Sequence, residues 1–138
     1  IAQTAALTEG ADASQYVRHY LSREHRDDRS TGCTMAALGS DAARQPEPVR
    51  AAFADGIETL VATLVRQSGA SGAADAVQAR AQSLDAFAHA VGALVLSRAC
   101  PDDSALADEL LAVGREAILA TLRPKRPAKA APPRRSTG

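Results

Sequence analysis

Val77, Ala81, Leu84, Ala88, Val91 and Val95 recur at intervals of four, three, four, three and four. This is the seam of a helix that meets another helix along its length, and no other feature restricts the chain as much. Between Ala86 and Leu96 the segment is also apolar off the seam, through Phe87, Leu94 and Leu96. A helix that is apolar nearly all round must be covered on more than one side. A chain of 138 residues provides one compact domain, with little surface to spare for that purpose. Aromatic residues make up only 3% and Trp is absent, so the core must be Ala, Leu, Val and Ile, a composition that favours helix over sheet.

The flanking segments follow the same period. Val49, Phe53, Ile57, Leu60, Val61, Leu64 and Val65 form one stripe between Pro46–Pro48, tolerated in a first turn, and Gly69, a C-terminal stop. After Pro101, Ser104 reads as a cap for a last helix whose stripe is Leu106, Leu110, Val113, Ala117 and Leu122, widened by Leu111 and Ile118, before Pro124. Upstream, "IAQTAALTEG" reads as a helix end stopped at Gly10, and "SQYVRHYLS" as a short helix. Residues 22–34, with seven charged or His positions in a row, read as a surface loop, and Thr34 as the cap of a helix through Met35, Leu38 and Ala42. The expectation is an all-α antiparallel bundle over residues 1–122. Its last two long helices pair with those of a second copy through Val77, Ala81, Leu84, Ala88, Val91, Val95, Leu106, Leu110, Val113 and Ala117.

The net charge of zero conceals a division. All 16 acidic residues and 10 arginines precede Arg123, a net of −6, whereas residues 123–138 hold six basic residues and no acid. That Pro-rich tail has nothing to bury and reads as disordered; it is either a solvated extension or an auxiliary contact for nucleic acid or an acidic surface. Cys33 and Cys100 are too few and too far apart for a disulfide framework. The longest nearly apolar run, Ala86–Leu96, falls short of the about 18–20 residues that cross a bilayer. A cytoplasmic protein without membrane contact is expected. Because the chain begins with Ile1 rather than Met, a further N-terminal portion is expected too.

Four stretches carry a family resemblance: "YLSREHRDDRSTGCTMAALGSDAAR" at 20–44, "VRAAFADGIETLVATL" at 49–64, "AHAVGALVLSRA" at 88–99 and "LADELLAVGREAIL" at 106–119. Together they resemble the C-terminal effector-binding and dimerisation domain of the TetR/AcrR transcriptional repressors, over roughly Tyr16 to Leu122. The resemblance implies a ligand-responsive, non-enzymatic homodimer that holds a small apolar or aromatic effector between its middle helices. It also implies that operator DNA is read by an N-terminal helix-turn-helix domain, which these 138 residues do not contain. By position, the effector would meet Tyr20, Met35, Leu38, Phe53, Ile57, Leu60, Phe87 and Val91. His89, the one polar side chain of the apolar run, either orients it or is a hydrogen-bonded core residue.

Cys33 stands at the start of a helix, where the positive end of the dipole stabilises thiolate and Arg29 adds to the effect. Relatives of this branch use a cysteine in a similar loop to sense electrophiles or oxidants, so Cys33 is a candidate thiol sensor as well as a candidate packing residue. A Cys-dependent enzyme with His19 or His25 as base would need an orienting third group that the sequence does not supply. His19, His25 and Cys33, with Glu24, Asp27 and Asp28 nearby, match no zinc-ligand spacing. No metal or cofactor is expected.

Overall fold

The computed structural model describes residues 13–122; the opening segment and the basic tail discussed above lie outside them. Six helices make up the described residues: α1 (Ala13–Tyr20), α2 (Arg23–Asp27), α3 (Thr34–Ala42), α4 (Glu47–Gln67), α5 (Ala73–Ala99) and α6 (Ala105–Leu122). No strand occurs among them. Pro46 precedes α4 and Pro48 occupies its first turn, where a missing N–H costs nothing. Just past its end Gly69 takes φ 69°, a left-handed conformation that favours glycine.

Helix α5 is the axis of the bundle. It packs most extensively on α6 and is flanked by α4, α3 and α2, while α1 lies against α6. Helices α5 and α6 run antiparallel: the Ser97 hydroxyl donates to the Ala107 carbonyl at 2.8 Å, and a Cβ placed on Gly114 would lie 2.8 Å from that of Ala93. Ala93, Ser97, Ala107 and Gly114 are all buried, so the two backbones approach as closely as small residues permit. A second antiparallel pair, α4 with α5, is clipped on its surface by the two-pronged ion pair of Arg80 with Glu58, 2.7 Å at each contact.

The inward and outward faces of α5 are unlike. Ala79, Ala86, Ala90, Ala93, Leu94 and Ser97 are buried or packed against the core, whose other members include Tyr20, Leu21, Cys33, Leu111 and Ile118. The seam noted in the sequence points the other way: Val77 is 72% exposed, and Leu84 and Val95 are exposed as well. On α6, Leu106 and Val113 are likewise exposed. Small residues therefore face in, and many of the larger aliphatic ones face out.

One expectation is corrected. The charged stretch after Ser22 is not a loop throughout, because Arg23–Asp27 forms a helical turn capped by the Ser22 hydroxyl, which accepts from the His25 amide at 3.1 Å. Within it His25 is buried and Arg26 has no solvent exposure at all. The Arg26 guanidinium donates to the carbonyls of Ser97 and Cys100 and to the Ser97 hydroxyl, at the C-terminal end of α5 where helix carbonyls lack partners. It also pairs with the half-exposed Asp27 at 2.6 Å and with the exposed Asp102 at 3.0 Å. Arg98 of α5 returns the exchange by donating to the Arg26, His25 and Asp28 carbonyls. Each helix end satisfies the other. Charge density alone signalled exposure, and it missed an arginine whose charge is matched just beneath the surface.

Replacing Arg26 by Met keeps the volume but strands the α5 carbonyls, and is expected to cost about 2 kcal/mol. Equilibrium urea unfolding of the variant against wild type measures the loss; an unchanged midpoint would show that the exchange contributes nothing.

Candidate functional site

The α2–α3 connection begins at Asp28, whose carboxylate accepts from the Ser30 amide and hydroxyl and from the Thr31 amide and hydroxyl. The tight turn that results carries the chain past Arg98: a Cβ on Gly32 would fall 2.8 Å from the Asp28 carbonyl and 2.9 Å from an Arg98 terminal nitrogen. Immediately afterwards Cys33 becomes the N-cap residue of α3, with no side-chain capping bond. Its side chain is buried in the core beside Tyr20.

Behind Cys33 lies a cavity of about 200 Å³. Helix α1 contributes Tyr16, Val17 and Tyr20, the end of α4 contributes Leu60, Leu64 and Gln67, α5 contributes Ala79, Gln82, Ser83, Ala86, Phe87 and Ala90, and α6 adds Ile118, Thr121 and Leu122. No Asp, Glu, Lys, Arg or His lines it among the described residues. The Tyr16 and Tyr20 rings stack at 5.8 Å, and Tyr20 meets the His25 ring at 4.8 Å. Burial, with a smaller contribution from Cys33, pushes the Tyr16 phenol up to about 12 and raises that of Tyr20 further. Both are therefore neutral hydroxyls at neutral pH.

Of the positions the sequence nominated, Tyr20, Leu60 and Phe87 line this cavity, and Cys33 joins them. The others lie elsewhere. Met35 stands between α3 and α4, its methyl carbon 2.9 Å from where a Gly56 Cβ would be, and Phe53 packs toward Gly39. Ile57 and Val91 are half-buried without lining the cavity, and Leu38 is 48% exposed. For Phe53 and Ile57 the reason is helix length. At about 1.5 Å per residue the 21 residues of α4 reach well beyond the cavity. Only the C-terminal half of α4 meets it, while Phe53 lies in the half that packs on α3.

His89 is exposed rather than a buried core residue. It borders a separate open groove between α5 and α6, together with Ala88, Gly92, Leu96, Leu106, Glu109, Leu110 and Val113. Its position places it on the outward flank of α5, beside Ala88 and Gly92. Tyr16, Ala86 and Ala90 were missed as liners, although Ala79, Ala86, Ala90 and Ala93 repeat at helical spacing on the side opposite the seam. Alanine carries little weight in a reading based on large apolar residues. Among the described residues no group of three or more His, Cys, Asp or Glu could hold a metal, and no helix is long and apolar enough to cross a membrane. No hydrogen bond joins His19 or His25 to Cys33 among them; His25 Nδ1 is instead engaged by the Tyr20 carbonyl at 2.7 Å.

Hydrogen bonds from Thr31, then Ser30, hold the Asp28 carboxyl down to about 2, against 3.8 in an unstructured chain. A depressed carboxyl stabilises the folded state above its unfolded value, and that contribution disappears as pH falls from about 4 through about 2. Urea midpoints measured across that range are expected to fall more steeply for wild type than for Asp28→Asn; parallel slopes would show that the turn does not depend on the charge. No family model, no curated protein and no solved structure matches the chain.

Proposed function

We propose that this chain is the ligand-responsive regulatory domain of a TetR-like transcriptional repressor. In this reading a small apolar or aromatic effector occupies the cavity behind Cys33, and α5 and α6 pair with those of a second copy. DNA contact belongs to a helix-turn-helix domain of the parent protein, since residues 1–122 carry a net charge of −6, the wrong sign for phosphate. The observation that carries the reading is the uncharged, apolar-walled cavity of about 200 Å³. For comparison, an engineered apolar cavity of about 150 Å³ accepts benzene.

The outward aliphatic residues support the pairing. Leu84, Val95, Leu96, Leu106 and Val113 are exposed on adjacent faces of α5 and α6, and the groove between them presents His89 and Glu109 as its only ionisable side chains among the described residues. Covering such a face with a copy of itself gives a closed, two-fold assembly. Helix α1 both lines the cavity and rests on α6. An effector that prefers one placement of α1 would thereby shift the equilibrium between two dimer conformations, which is the whole requirement for coupling.

A second reading rests on Cys33 as a cavity liner: an electrophile admitted to the cavity would meet the thiol there, and addition of the thiolate sulfur would mark the effector's arrival covalently.

Three outcomes test these readings. Static light scattering at micromolar concentration is expected to give twice the chain mass, and Val113→Glu, which sets charges against charges across the two-fold, to give the single mass with unchanged helical circular dichroism; a wild-type monomer would remove the dimer from the proposal. Titration with toluene should raise the melting temperature progressively, because a ligand of the native state alone stabilises by mass action; no shift up to its solubility limit would remove the effector site. In a Cys100→Ser background, N-ethylmaleimide is expected to modify Cys33 faster than it modifies glutathione, and a slower rate would end the electrophile reading.

A further inference from the structure

Tyr20 is only 7% exposed, and its hydroxyl is buried with no hydrogen-bond partner of ordinary geometry among the described residues. Buried polar groups nearly always have one. Two neighbouring rings hold that of Tyr20 in place: Tyr16 stacks on it at 5.8 Å and His25 meets it at 4.8 Å. The group nearest in chemistry is the Cys33 thiol beside it, a weak donor and a weaker acceptor.

The serine and threonine hydroxyls of the same lining are engaged. Ser68, just past the end of α4, donates to the Val65 carbonyl, and within their own helices Ser83 donates to that of Ala79 and Thr121 to that of Ile118. Tyr20 is thus the fully buried lining hydroxyl, with only the weak Cys33 thiol as a polar neighbour, in a lining that also holds Ala86, Ala90 and Ile118. Arg98, the cation whose charge is felt at Tyr20, has its own donors directed at three backbone carbonyls.

We propose that the occupant of the cavity is an uncharged, compact apolar molecule bearing one hydrogen-bond acceptor, a carbonyl or ether oxygen, and that the Tyr20 hydroxyl donates to it. This rests on the reading of the cavity as an effector site and specifies the chemistry of the effector. A hydrocarbon leaves the phenol unpaired, so it gains only from burial. A carboxylate would bring a charge into a lining that offers no cation among the described residues, and would lose more on desolvation than one phenol returns. A neutral acceptor gains both the burial and the missing bond.

Isothermal titration of the chain with ethylbenzene, acetophenone and benzoate, three probes of similar size, separates these cases. Wild type is expected to bind acetophenone about tenfold more tightly than ethylbenzene, the usual yield of one hydrogen bond to a preorganised buried partner, and benzoate not measurably. In Tyr20→Phe the two neutral probes should bind within about twofold of each other, with ethylbenzene binding retained as the sign that the variant is folded, and the ligand-free melting temperature should not fall. Equal binding of ethylbenzene and acetophenone to wild type would overturn the assignment while leaving the cavity as an effector site. A preference for acetophenone that survives in Tyr20→Phe, or benzoate binding as tight as acetophenone, would overturn it likewise. If neither neutral probe binds wild type, the effector site itself fails and this assignment with it.

Discussion

The exchange between Arg26 and Arg98 is the contact on which the rest of the arrangement depends. Two helix ends that would otherwise leave carbonyls unsatisfied are brought against each other, and each supplies the guanidinium that the other lacks. An isolated buried arginine would be unfavourable. Here it is offset by two carboxylates at the surface and by carbonyls at the negative end of the longest helix. Because α2 is fixed in this way to the C-terminus of α5, the preceding residues Tyr20 and Leu21 are pressed into the core. The following turn then delivers Cys33 to the same place.

From that anchor the cavity follows. Helices α5 and α6 touch through Ala93, Ser97, Ala107 and Gly114, which sets their spacing near the lower limit for packed helices. Nearer the other end of α5, Ala79, Ala86 and Ala90 line the cavity together with Tyr16 and Val17 of α1 and Leu64 of α4. Methyl groups do not fill the width that the aromatic rings hold open, and the stacked tyrosines cannot fold inward without losing their contacts with each other and with His25. The void is the residue of that mismatch rather than of loose packing elsewhere.

The helices themselves were legible in the sequence because their punctuation is strong: Pro46, Pro48 and Gly69 bracket α4, and Pro101 and Ser104 precede α6. Two things were not legible. The stretch Arg23–Asp27 looked solvated because five charged or ionisable side chains stand in a row, and nothing local reveals that a carbonyl-rich helix end 71 residues later will receive one of them. The cavity lining was half visible for a related reason. Tyr20, Leu60 and Phe87 were reached through the size and position of their side chains, whereas the alanines that create the space differ from structural filler only in what stands opposite them. Phe53 and Ile57 lie on the right helix at the wrong height, a coordinate along the axis that periodicity does not encode, and Met35 lies on α3, which contributes no lining residue.

A chamber bounded on one side by three alanines of a single helix has a further property. Ala79, Ala86 and Ala90 all border the open space, so a slightly larger or more polar side chain at any of them would change the shape and polarity of the interior before it changed the fold. Descendants of one such gene would diverge first in what they recognise and last in how they fold.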